Sequence, residues 1–480
     1  MALFTAAAFV AALAISADRA SAESPITFSG YLRLRTIAFG GAMPSNGNLR
    51  DPISERYGHT RFRVNVVFKP SDIIEVRWRF HGPHGTRWGN TDSSANNLRS
   101  IYFFGVAKTS FGTFRAGRIS SDFDSAGLQT LGYLPYWGFS SQALPFDRDS
   151  ENDGIEYRND WDNGFGLKMF YMKRASSMLG DGAAVPAALA GQYERSAAVK
   201  DGDYDRFSVE PYYKWGTGGV SLALQYDTNK FDYDNTNGGD VGGREDFLVR
   251  KNYFMSINPA LVQQWDIGNG KTFAIHAEAK YSFGKRQMAT PEGGVAPPSQ
   301  KQDGFGAYLD FTLGYPQGSA SLVSWYFRGT DEYGPGANDP RTNPAYHSLV
   351  HGGEGFYPFM LFNYVQSYLT GIAQTGGWQT AGNWGVGVLG NHKLNDFVTL
   401  NYGIGTFGRT ADYFITDTRK ASRGMGTEVD LGFVIKILDG LQWQTKFAYY
   451  NVGNYYGDRN GRPEWNHDMW GWANEFLFQF

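Results

Sequence analysis

From Pro25 to the last residue, apolar and polar side chains take turns along the chain. Ile26, Phe28, Leu32 and Leu34 interleave with Thr27, Ser29, Tyr31, Arg33 and Arg35. Phe62, Val64, Val66 and Phe68 interleave with Arg61, Arg63 and Asn65, and Ile74, Val76, Trp78 and Phe80 with Glu75, Arg77, Arg79 and His81. Phe273, Ile275, Ala277, Ala279 and Tyr281 alternate with His276, Glu278 and Lys280, and Phe305, Leu309, Phe311 and Leu313 with Tyr308, Asp310 and Thr312. Strand side chains point to opposite faces in turn, so each segment has one apolar and one polar face.

A soluble sandwich would alternate too, with its apolar face turned inward. Two features favour the inverse arrangement. The segments run to about ten residues or more, which suits a tilted bilayer crossing, whereas globular strands centre on roughly five or six. Their apolar faces also end in Trp, Tyr and Phe, the residues that settle at the membrane–water boundary. Aromatics make up 16% of the chain, and 61 of its 480 residues are glycine. Apart from the N-terminus, no apolar run is long enough for a spanning helix.

Strand-like segments number about eighteen, with sixteen inside the margin of such a reading. Their connections alternate in length. Pro70 to Asp72, Thr109-Ser110, Asp160 to Asn163, Gly216 to Gly218, Pro316 to Gly318, Asn395-Asp396 and Leu438 to Gly440 are short. Segments 40–56, 82–97, 119–151, 174–205, 230–250, 286–301, 329–378, 409–423 and 451–467 are long. Short turns on one side and long loops on the other predict a transmembrane antiparallel β-barrel, with outer-membrane lipid and lipopolysaccharide around it. Leu3 to Ile15 followed by Ala20-Ser21-Ala22 reads as a secretory signal cleaved after Ala22, giving a signal peptide at 1–22 and a barrel over 23–480. No Lys or Arg precedes that run, a departure for which a misassigned start codon is the simplest reason. The chain ends Trp470, Trp472, Phe476, Phe478, Phe480; a terminal Phe on an alternating strand resembles the signal that bacterial outer-membrane proteins present for assembly.

Two stretches resemble bacterial general porins. Phe111 to Arg118 (FGTFRAGR) resembles the segment where porins enter their third loop, and Arg148-Asp149 through Asn152 to Tyr157 the segment where they leave it. The resemblance implies that the intervening residues fold inward as a constriction loop, and it implies a homotrimer as an assembly to look for. The stretches Gly426 to Leu431 and Tyr449 to Gly453 look more like the eighteen-stranded alginate-export type of barrel. The chain departs from the general porins in lacking a Pro-Glu-Phe-Gly-Gly-type signature in 119–151 and in needing two extra strands.

If the apolar face meets lipid, the polar sets line the lumen, because a lipid-facing Lys or Arg costs ~2–4 kcal/mol near the midplane. Arg33, Arg35, Arg61, Arg63, Arg77 and Arg79 then form one wall with Arg115 close by, interrupted by Glu75. The loop expected to fold inward carries Asp122, Asp124, Asp147, Asp149, Glu151 and Asp153. Opposed signs would set a transverse field across a constriction. The rest of the wall is mixed (Glu210, Lys214, Asp227, Glu278, Lys280, Asp310, Glu428, Asp430, Lys436, Lys446), which predicts weak anion preference. Tyr31, Tyr212, Tyr308 and Tyr326 are placed on the lumen parity, as pore lining or as a stacking path for sugars. Segment 329–378 is too long for an idle loop, and its apolar stretch Phe356 to Leu369 either enters the barrel or packs at a subunit boundary.

Enzyme readings fare badly. The chain has no cysteine, which removes thiolate chemistry and Cys-based metal sites. Only His347 and His351 have metal-ligand spacing, without a matching Glu, and His276 with Glu278 reads as a pore-lining polar pair. Asp149-x-Glu151-x-Asp153-Gly154 with Asp160 has the look of a calcium loop, but Ile155 to Arg158 reads as strand, so an acidic loop root is expected there. No cofactor is implied, and a net charge of −3 excludes a basic nucleic-acid binder. The expectation is a Gram-negative outer-membrane channel passing small hydrophilic solutes by diffusion. The alternatives are a dedicated channel for an anionic polysaccharide or oligosaccharide, and a barrel sheathing a threaded partner.

Overall fold

A computed structural model describes residues 26–42, 53–87, 99–119, 152–175, 204–229, 232–233, 248–288, 299–329, 331–336, 359, 361, 382–460 and 468–480. The alternating segments form strands β1 (Ile26–Ala42), β2 (Ile53–Phe68), β3 (Ile74–Arg87), β4 (Arg99–Thr109), β5 (Gly112–Ile119), β6 (Asn152–Asp160) and β7 (Phe165–Ala175). They continue as β8 (Tyr204–Trp215), β9 (Gly218–Asn229), β10 (Asp232–Tyr233), β11 (Leu248–Gly268), β12 (Lys271–Met288), β13 (Gln300–Tyr315) and β14 (Gly318–Phe327). The last are β15 (Glu332–Gly336), β16 (Asn383–Lys393), β17 (Val398–Arg409), β18 (Tyr413–Thr416), β19 (Gly424–Leu438), β20 (Leu441–Val452) and β21 (Met469–Gln479). A short helix, α1, spans Tyr455–Asn460.

Leaving aside β10, β15 and β18, eighteen strands pair antiparallel with their neighbours, and β21 pairs with β1 to close the ring. Closure runs from Tyr31 opposite Gln479 to Gly40 opposite Trp470. The final residue completes it: Gly30 N–H donates to the Phe480 carbonyl at 2.8 Å, and Phe480 N–H donates back to the Gly30 carbonyl at 3.1 Å. A closed sheet has no edge, so the backbone along the wall pairs within the sheet, interrupted by bulges such as the one between Arg79 and Phe80.

The short turns expected from the sequence are the hairpins on one side of the barrel, and they have local causes. Asn395 Oδ1 accepts the Phe397 and Val398 N–H groups at 2.8 and 2.9 Å, and Asn163 Oδ1 accepts Phe165 N–H at 3.1 Å. A further hairpin, unremarked in the sequence, joins β11 to β12 through Asn269, whose φ of 55° is left-handed.

Which face looks outward is read from exposure. On β9, Val220, Leu222, Leu224 and Tyr226 are exposed while Ser221, Ala223, Gln225 and Asp227 are buried. On β21, Trp470, Trp472, Phe476 and Phe478 are exposed and Met469, Ala473 and Glu475 are buried. Aromatics gather toward the strand ends: Trp265 stacks on Phe273 and Trp443 on Phe476 beside the short turns. The apolar face therefore surrounds the barrel, and the polar parity lies inside.

The inner face is not polar throughout. Tyr102, Phe104 and Val106 of β4 form an inward cluster with Ile119, Phe170 and Met172. On β14 the buried, inward residues are Val323, Trp325 and Phe327, whereas Tyr326 is exposed on the outer face. This corrects the lumen placement of Tyr326. The run Ser324-Trp325-Tyr326-Phe327 carries bulky rings on both parities, so hydropathy there does not mark a face.

Candidate functional site

The polar parity of β1–β3 places the arginines on the inner wall. Arg33 and Arg35 are both buried and share the Glu475 carboxylate of β21, at 3.8 and 2.7 Å, across the seam that closes the barrel. Arg63 lies 5.6 Å from the Tyr31 ring centroid, a cation–π distance. Arg77 pairs with Glu75 on the same strand. Arg79 donates to Asn65 Oδ1 at 2.5 Å and stacks over Tyr102 at 4.6 Å. Arg115 meets Glu156 of β6 at 3.4 Å. Arg61 opposes Arg33 in the backbone register, although its side chain is outside the described residues.

Of the acidic loop set, Asp122, Asp124, Asp147, Asp149 and Glu151 lie outside the described residues, and with them the inward constriction loop, whereas Asp153 stands exposed on β6, on the outward parity it shares with Ile155 rather than in an inward loop. His347, His351 and segment 1–22 also lie outside the described residues. Ile155 to Arg158 falls within β6, as read from the sequence.

Sequence reasoning missed several interior contacts. Arg206 and Asp227 are fully buried and bonded at 2.7 Å, with Gln225 donating to the same carboxylate at 2.5 Å. The tight β8–β9 hairpin pairs Arg206 with Asp227 directly, so counting outward from the turn would have found them. On β12, His276 bonds Glu278 at 2.8 Å, the polar pair read from the sequence, and on β13 Asp310 accepts from Thr312 at 2.6 Å and Tyr308 at 3.1 Å. Lys280 is buried on the same face as Glu278.

Segment 329–378 contributes to the interior. Phe359 and Leu361 are both buried, in one cluster with Trp325, Phe407, Met425 and Tyr450. The Phe359 ring packs edge-on against Phe407 at 5.1 Å. It lies on Gly387 and Gly405, which face each other across β16 and β17, and a Cβ at either position would run into the ring. Leu361 N–H donates to Glu428 Oε1 at 2.6 Å. Of the two placements open in the sequence, the described residues occupy the inside of the barrel.

A closed sheet with an apolar exterior and a charged interior spans a membrane. Solved structures agree with this architecture. OpdL of Pseudomonas aeruginosa is similar with a TM-score of 0.50 at 10% identity, covering 94% of this chain and 98% of that one. OccAB3 of Acinetobacter baumannii has a TM-score of 0.50 at 9% identity, covering 94% and 99%. The chain has the fold of an outer-membrane porin. Such a barrel, with an even number of strands and short turns on one side, belongs in a Gram-negative outer membrane. No protein-family model matches the sequence, and no curated protein is similar to it in sequence.

Proposed function

We propose that this protein is an outer-membrane diffusion channel for small hydrophilic solutes, exported by the signal at residues 1–22 and weakly selective for anions. The observation that carries the reading is the inner wall of β1–β3 and β5, where Arg33, Arg35, Arg63, Arg77 and Arg79 are set on three adjoining strands and Arg115 follows one strand beyond β4, in a barrel whose outer face is apolar. Cationic side chains lining a low-dielectric wall raise the local concentration of anions. The preference is weak because carboxylates answer part of that charge. Glu475, Glu75 and Glu156 each pair with one or two of the arginines.

Purified protein inserted in a planar bilayer tests this directly. A salt gradient should give stable conductance steps and a reversal potential on the anion side of zero. Replacing Arg63 and Arg79 together by Glu should move that potential toward cations. A conducting pore whose reversal potential ignores both substitutions would remove the arginine wall from the selectivity mechanism.

A further inference from the structure

The outer face of the barrel carries charge where its strands run into the long connections. Along β5 to β8 those charges alternate in sign. Arg118, next to last in β5, opposes Asp153 on β6, Asp153 opposes Lys173 on β7, and Lys173 opposes Asp205 on β8. Each lies on the parity of an exposed apolar residue of its own strand: Phe114, Ile155, Met169 and Phe207. Opposite charges facing each other across a strand pair are favourable, so this stretch of rim neutralises itself.

The alternation breaks between β12 and β13. There Lys285 opposes Lys301, both exposed and both on the outward parity of Tyr281 and Phe305. Like charges placed directly opposite are unfavourable. Neither lysine forms an ion pair among the described residues. Of the strands packed on either side, β11 sets Tyr253 opposite Lys285, and Arg328, just beyond β14, adds a third cation. Among the described residues the carboxylate of this rim is Asp303, two positions along β13 from Lys301, and Arg328 bonds it at 3.2 Å. Asp331, farther along, accepts the Asp412 N–H. Glu292, in the segment that joins β12 to β13, lies outside the described residues. Positive charge is therefore in excess here, whereas on β5 to β8 it is balanced.

Aromatic rings set the height of this excess in the bilayer. On the outer face Tyr281 stacks on Phe283 at 5.6 Å, and Phe305 meets Tyr326 at 6.3 Å. Such rings settle where hydrocarbon gives way to headgroups. Lys301 stands four residues beyond Phe305, roughly 14 Å along a strand tilted by roughly 40°, and so roughly 10 Å farther from the membrane centre. That is headgroup level, on the long-loop side that faces outward in a Gram-negative outer membrane. A phosphate monoester carries about −1.5 to −2 near neutral pH and has three strong acceptor oxygens, which answers two ammonium groups. A phosphodiester carries less charge and would leave one of them unanswered.

We propose that Lys285 and Lys301 clamp a phosphomonoester of an outer-leaflet glycolipid, the phosphorylated sugar of lipid A, at the rim of β11–β14. The acyl chains of that lipid then run along Tyr281, Phe283 and Phe305, and Arg328 stays with Asp303. The clamp is on the outer wall, so it is independent of which solute the lumen passes.

The test is native mass spectrometry of the purified barrel in detergent, titrated with bisphosphorylated lipid A, with the same lipid after phosphatase treatment, and with phosphatidylglycerol as a phosphodiester. Wild type should bind lipid A about tenfold or more tighter than either comparator. Lys285→Gln combined with Lys301→Gln should weaken lipid A roughly thirtyfold, about fivefold for each charge, and leave the dephosphorylated lipid unchanged. Lys285→Arg with Lys301→Arg should bind as wild type does, and Arg118→Gln on the balanced rim should leave lipid A affinity in place. Neither lysine enters the lumen, so single-channel conductance of the double Gln variant should match wild type and report an intact barrel. Equal affinity for lipid A and its dephosphorylated form overturns the clamp, and is the outcome expected if Glu292 already answers the lysines. A double Gln variant that keeps the preference overturns it too. Inorganic phosphate binding as tightly as lipid A would make this a soluble-anion site and overturn the lipid occupant. Should a variant fail to fold, the wild-type ranking of the three lipids still decides.

Discussion

Leu361 donates its backbone N–H to the Glu428 carboxylate at 2.6 Å, across 67 positions of sequence, and so fixes one point between β15 and β16 to the inner wall of β19. The amide is buried and has left water to make this bond. Glu428→Ala should therefore cost about 1–3 kcal/mol, the usual cost of a buried donor left unpaired. Glu428→Gln keeps an acceptor of the same shape and should cost less. Denaturant unfolding of the refolded barrel in detergent measures both; equal midpoints for wild type and Glu428→Ala would show that the bond carries no stability.

The slot under Phe359 makes a second prediction. Phe359→Ala removes a fully buried ring and should destabilise by about 3–5 kcal/mol. Gly405→Ala puts a methyl group where that ring lies and should cost about 1–3 kcal/mol through overpacking. The two effects share one cause, so in the Phe359→Ala background Gly405→Ala should be nearly silent. Additive costs in a double-mutant cycle would mean that ring and glycine do not meet.

These contacts mark the boundary of what the sequence discloses. The strands, the short turns and the outward apolar face were legible because alternation with period two is written in every segment that has one wet and one dry side. The interior was legible where its parity is polar, at the charged positions and at Tyr212 and Tyr308. On β4 and β14 both faces are bulky, so Tyr102, Phe104 and Trp325 gave no sign of pointing inward, and Tyr326 was assigned to the wrong side. Gly387 and Gly405 were silent for the opposite reason: a slot made by missing side chains leaves no hydropathy signal. Arg206 and Asp227 sit in plain view, and only the hairpin register shows that they meet.

The arginines should divide by what they do. Arg35 is bonded to Glu475 at 2.7 Å in a buried pair, so Arg35→Ala leaves that carboxylate in the barrel seam with the longer 3.8 Å contact to Arg33. Breaking a buried pair typically costs about 3–5 kcal/mol, so this variant should show lowered thermal stability. Arg63 and Arg79 are half-buried on the inner wall and meet aromatic rings rather than a buried carboxylate, and their replacement by Glu should act on ion selectivity more than on stability. Reversal potentials and melting curves measured on the same three variants separate the roles. A selectivity change confined to Arg35→Ala would reverse the assignment.

Above the wall, Asp412 holds a small parallel sheet. Its carboxylate accepts from Arg423 at 2.7 Å and Lys420 at 2.6 Å, and its own N–H donates to Asp331 Oδ1 at 2.8 Å, where β18 pairs with β15. Arg423 first and Lys420 second hold the Asp412 carboxyl below its ordinary value of 3.8. A carboxyl whose folded value is depressed adds stability that is fully present above the unfolded value and is lost as pH falls through the folded one. Backbone protection of Tyr413 to Thr416 against hydrogen exchange should then hold steady near neutrality and decline only below about pH 4. Asp412→Asn keeps the shape and loses the charge, so its protection should be lower at neutral pH and flat through the acid range. Wild-type protection that survives at about pH 2 unchanged would show that the β15–β18 pair stands without the clamp.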